Sequence, residues 1–104
     1  MLHYYVWFDL KPAIVEPDAI RVVQRFLSEL LAERKIAAFR VLKNTATKPD
    51  TVLASYAALI EFNDDAHFAA AFDDLRRIGI HTGPHGEIIE IVADFNADVF
   101  QELR

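Results

Sequence analysis

Residues 3–10 read His3-Tyr4-Tyr5-Val6-Trp7-Phe8-Asp9-Leu10, and this stretch decides the fold. Side chains alternate across a strand, so Tyr4, Val6, Phe8 and Leu10 share one face and His3, Tyr5, Trp7 and Asp9 the other. Both faces therefore carry large apolar groups. Where helices cover one side of a small sheet, Tyr5 and Trp7 need a second cover. In a chain of 104 residues that cover is expected to be another copy of the same chain.

The composition agrees with this reading. The chain is 53% hydrophobic and 12% aromatic with 26% charged residues, which excludes intrinsic disorder and is more apolar than one small core readily hides. One domain over residues 1–104 is expected. A net charge of −5 opposes nucleic-acid binding, which depends on clustered Lys and Arg. Cysteine is absent, so disulfides, a thiol nucleophile and thiolate metal sites are excluded. The apolar start lacks a basic leader and meets Asp9 and Lys11, unlike a signal peptide. No apolar run approaches the ~20 residues of a membrane span. A cytoplasmic location is the resulting expectation.

Outward from the first strand, Lys11-Pro12 ends the ladder and Pro17 opens a helix flanked by Glu16 and Asp18. Ile20, Val23, Leu27, Leu30 and Leu31 recur at helical spacing, and Arg34 and Lys35 close the segment. A second strand is expected over residues 37–43, a polar turn over 44–51 and a third strand over 53–62. Asn63 and Asp64 are both suitable caps for a second helix, whose stripe is Phe68, Phe72 and Leu75 and whose stop is Gly79. Residues 80–86, with Gly83-Pro84, are expected to be loop; residues 87–95 a fourth strand; residues 98–103 a short terminal helical turn.

The order strand–helix–strand–strand–helix–strand predicts a ferredoxin-like α+β sandwich, a four-stranded antiparallel sheet with two helices on one face and the first and third strands central. Tyr4, Val6, Phe8, Leu10, Tyr56, Ala58, Ile60 and Phe62 then face the helices, joined by Ile89, Ile91 and Phe95 of the last strand. The helix-free face would hold His3, Tyr5, Trp7, Asp9, Arg40, Leu42, Ala57, Leu59 and Glu61, with Ile88, Glu90, Val92 and Asp94. A solvated face would be polar throughout, whereas a contiguous apolar one marks a partner or ligand site.

Two such sheets packed face to face resemble the dimeric α/β-barrel superfamily. The opening His-Tyr-Tyr-Val-Trp-Phe-Asp-Leu-Lys-Pro is similar to that of a small bacterial family with no assigned function. The resemblance implies a homodimer through the helix-free face. The superfamily includes monooxygenases, isomerases and stress-responsive proteins, so it implies fold better than chemistry. Its heme-degrading members use an Asn on the first strand, a Trp and a helix-borne His. Here the first strand offers His3 and Asp9, Trp7 stands on that strand itself, and His67 takes the place of the helix-borne His.

Two readings of the helix-free face follow. In one, Tyr5 and Trp7 clasp a small apolar or aromatic ligand, Arg40 and Glu61 supply charge, and His3 or Asp9 moves a proton, as in a cofactor-independent monooxygenase or isomerase. In the other, Tyr5 and Trp7 are dimer core, the charged groups are its rim, and the protein is a non-catalytic binding or stress-responsive dimer. His81 and His85 stand four apart, a spacing that chelates on a helix, but here a Gly-Pro turn separates them and a third ligand would have to come from elsewhere; the loop they occupy could act as a lid. No cofactor, metal, nucleic acid or membrane partner is expected.

Overall fold

The computed structural model describes residues 1–45 and 54–103. Most of the expected polar turn, from residue 46 onward, and the expected strand start at Leu53 lie outside the described residues. The chain runs β1 (Leu2–Leu10), α1 (Glu16–Ala32), β2 (Ala38–Lys43), β3 (Tyr56–Phe62), α2 (Asp65–Ile78), α3 (Gly83–Ile91) and β4 (Val92–Gln101). The strands form one antiparallel sheet in the order β2-β3-β1-β4, with β1 and β3 central as expected.

Helix α1 buries Ala19, Val23 and Leu27, positions four apart on one face. It stops one turn before the expected end. Arg34 adopts the left-handed conformation (φ 60°), and the Lys35 and Arg34 N–H groups donate to the Leu30 and Leu31 carbonyls at 2.9 and 3.0 Å. This is a Schellman stop without its usual glycine. Helix α2 starts where Asp64 accepts the His67 N–H at 2.8 Å. It carries Arg76 and Arg77 in its last turn and ends at Gly79, φ 111°.

The segment after Gly79 departs from the expectation. Residues 83–91 are helix rather than loop and strand, so Ile89 and Ile91 belong to α3. The physical reason is that Gly83-Pro84 sits in the first turn, where proline lacks no needed donor and its φ is already helical. The strand then begins at Val92 and runs to Gln101, taking in residues assigned above to a terminal helical turn. Pairing with β1 over most of the length of β4 outweighs the poor strand preference of Asp94, Asn96 and Asp98. A register irregularity opposite Trp7 and Asp9, with Asp94 at φ 50°, bends β4 there.

The core holds Leu2, Phe8, Val23, Leu27, Ile36, Ala58, Ile60 and Phe62, all buried, with Tyr4, Val6, Leu10 and Tyr56 packed against them. The helix-facing sets of β1 and β3 are thus as expected. On the other face the register forms three rows across the sheet: Ala38–Glu61–His3–Phe100, Arg40–Leu59–Tyr5–Asp98 and Leu42–Ala57–Trp7–Asn96.

Candidate functional site

Of the expected helix-free set, His3, Tyr5, Trp7, Asp9, Arg40, Leu42, Ala57, Leu59 and Glu61 share that face by register. The four residues assigned to it from residues 88–94 do not. Ile88 and Glu90 are on α3, Val92 pairs with Leu10 on the helix side, and Asp94 sits at the irregularity. Their places are taken by Asn96, Asp98 and Phe100, which the misplaced β4 hid from sequence reasoning. Phe100 matters most. Tyr5 and Trp7 stack at 5.4 Å, and Phe100 meets both edge-on at 5.2 and 6.4 Å. Each such pair contributes about 0.5–1.5 kcal/mol beyond burial. Phe100 and Leu42 remain 52% and 46% exposed, so the patch is an apolar surface of the single chain.

Three of the ionisable groups of this face, His3, Glu61 and Asp9, are locally engaged. His3 Nδ1 lies 3.7 Å from Glu61 Oε1, across adjacent strands. Asp9 Oδ1 accepts the Ser55 N–H at 2.8 Å, anchoring the approach to β3. Arg40 is exposed in the Tyr5 row, at the opposite end from Asp98.

A cavity lies on the opposite face. A cleft of about 550 Å³ opens between the sheet and helices α1, α2 and α3, floored by Val6, Ala58 and Ile60 and walled by Phe26, Phe72 and Ile88. Its size is that of an ordinary small-molecule site, roughly 300–1,000 Å³. The exposed residues Ile78, Ile80 and Phe95 also line it, so apolar character continues outward to the surface. Helix α3 forms one wall, held to α1 by the Arg25–Glu87 ion pair and by the edge of His85 against Phe26 at 5.5 Å. The segment expected to be a lid loop is therefore a fixed side of this cleft.

Polar groups in the cleft are few. His85 Nδ1 lies 2.7 Å from the Ile80 carbonyl. Tyr4 packs edge-on against Phe68 and Phe72 at 5.7 and 5.3 Å, and burial raises its phenol pKa, keeping the hydroxyl protonated. Lys35 is held between Glu33 at 2.9 Å and Asp74 at 3.5 Å; the Glu33 contact is the first of the causes that raise its pKa.

His67 does not fit the role of a heme ligand. Its Nδ1 accepts the Asn63 N–H at 3.1 Å, so Nε2 carries the proton and donates to the Arg34 carbonyl at 2.9 Å. Nε2 ties α2 to the turn that ends α1 and Nδ1 holds the residue before the Asp64 cap, so both ring nitrogens are committed. Among the described residues, no three or more His, Asp or Glu side chains are grouped to hold a metal ion.

A β2-β3-β1-β4 antiparallel sheet with its helices on one face defines a ferredoxin-like α+β protein. The chain belongs to the family of unknown function DUF6614, whose pattern matches residues 1–103. It is similar in fold to a DABB family protein of Mesorhizobium loti (TM-score 0.72, 20% identity, 99% of this chain and 97% of that one). It is similar also to an Arabidopsis thaliana protein (TM-score 0.78, 7% identity, 100% and 97% covered). A third is a dimeric ferredoxin-like protein of unknown function from Jannaschia (TM-score 0.64, 16% identity, 97% and 98% covered). No curated protein matches the chain. Among the described residues, no helix is long and apolar enough to cross a membrane.

Proposed function

We propose that this protein is a homodimer that binds a small apolar molecule in the helix–sheet cleft and uses the helix-free face of its sheet as the dimer seam. The cleft carries the reading: about 550 Å³ of largely apolar space opens to the surface beside few polar groups. Support for the seam comes from the Tyr5–Trp7–Phe100 cluster on a face that no helix among the described residues covers, and from similar folds described as dimeric. A specific interface needs roughly 800 Å² from each partner, which a four-stranded face can supply.

Binding is favoured over proton transfer at His3 and Asp9, because Asp9 holds the Ser55 N–H and His3 faces Glu61. Tyr5, Trp7, Arg40 and Glu61 then serve the seam. Naphthalene, titrated calorimetrically, is expected to bind one per chain. Ala71, which lines the cleft from α2, offers a way to fill it. Ala71→Phe should abolish binding while the protein stays folded and dimeric; undiminished binding would refute the cleft as the site.

A further inference from the structure

The geometry points to the ligand's class: a neutral apolar molecule bearing one hydroxyl, which donates its hydrogen bond to His85 Nε2. This inference rests on the cleft being the binding site.

The first observation is the fixed state of His85. A carbonyl oxygen only accepts, so the 2.7 Å contact with Ile80 requires the proton on Nδ1. In the neutral ring Nε2 is then a bare acceptor, and the ring's orientation is set by the Ile80 contact and by Phe26. Helix α3 holds this ring in the cleft wall. Buried Gly86 lets the first turn of α3 lie against the backbone of His81, so the histidine is presented from a rigid element.

The second observation is electrostatic. Three carboxylates line the cleft, those of Glu29, Glu33 and Asp74, against two permanent cations, Lys35 and Arg76. Both cations are already engaged: Lys35 with Glu33 and Asp74, and Arg76 with Asp73 at 2.6 Å. An anionic ligand would find both cations of a largely apolar lining already paired, and would have to draw one from its carboxylate to gain a partner. A neutral ligand meets no such cost. The exposed apolar residues Ile78, Ile80 and Phe95 let its hydrocarbon part extend outward while the hydroxyl sits on His85.

The test compares three probes of one shape: 1-naphthol, naphthalene and 1-naphthalenesulfonate, titrated into the full-length protein at neutral pH. One neutral hydrogen bond should make naphthol bind about three- to tenfold tighter than naphthalene, with the sulfonate weakest. His85→Phe should erase the naphthol preference while naphthalene still binds, and His85→Gln, which keeps an acceptor, should restore part of it. Equal affinity for naphthol and naphthalene in the wild type overturns this inference and leaves the cleft reading standing. So does a naphthol preference that survives His85→Phe. Sulfonate binding as tight as naphthol overturns the neutral-ligand claim. Failure of all three probes to bind removes the cleft reading itself.

Discussion

At the scale of single residues, several side chains act through contacts that their sequence neighbours do not announce. The sequence offers His67 only in the place of the superfamily's helix-borne His. Its role depends on Arg34, 33 positions away, whose carbonyl it meets only once the helices pack. Arg34 itself holds a left-handed conformation that costs a non-glycine residue about 1 kcal/mol. Arg34→Gly should therefore raise stability by roughly 0.5–1 kcal/mol in chemical denaturation, since the backbone carbonyl used by His67 remains. A loss of stability would show that the arginine side chain contributes more than its strain costs.

Tyr56 gives a second test at this scale. Its hydroxyl donates to Glu16 Oε1 at 2.6 Å, and that bond, with desolvation and the charges of Glu16 and Asp9, pushes its pKa up to about 12. Glu16 is lowered in turn by hydrogen bonds from Tyr56 and Lys43. For Tyr56 the folded pKa lies above the unfolded one. Its contribution is therefore full below pH 10 and is lost as pH rises through about 12. For Glu16 the sign is opposite, with stability lost as pH falls below the usual carboxylate range. Ultraviolet titration of tyrosine should show a late-titrating group that Glu16→Gln shifts to lower pH. An unchanged titration curve would contradict the pairing.

At the scale of elements, sequence reading succeeded where the side-chain period was unambiguous. The two-faced alternation of β1, β2 and β3 put the six nominated residues, His3, Tyr5, Trp7, Asp9, Arg40 and Glu61, on one face. It failed over residues 83–91, expected as loop and strand but helical, and over residues 98–101, expected as a helical turn but strand. Gly-Glu-Ile-Ile-Glu-Ile-Val is a short apolar run compatible with either helix or strand, and two glycines and a proline argued for loop. Tertiary contacts with α1 and pairing with β1 decided the outcome. That one error hid both Phe100 and the cleft wall carrying His85. The helical packing of α3 makes its own prediction. A Cβ on Gly86 would come within 2.5 Å of the His81 carbonyl oxygen, a backbone atom with little room to yield. Gly86→Ala should cost roughly 1–3 kcal/mol by overpacking, measured by denaturant midpoint, and should weaken naphthalene binding by displacing the wall. Unchanged stability and binding would mean that α3 does not rest on His81 so closely.

At the scale of the whole molecule, the sheet divides two tasks between its faces: one covers the cleft and the other, in the proposed assembly, meets a second chain. Trp7 lies at the centre of the Leu42–Ala57–Trp7–Asn96 row and outside the core, so Trp7→Asp should leave the circular dichroism spectrum intact while sedimentation equilibrium reports a monomer. A dimer of undiminished strength would place the seam elsewhere. The division itself is tested most directly by titrating naphthalene into isotopically labelled protein and following backbone and methyl resonances. The shifts should concentrate on Val6, Ala71, Ile88 and Phe95, around the cleft. Shifts centred instead on Tyr5, Trp7 and Phe100 would contradict the account, because they would put the ligand on the face assigned to the partner chain.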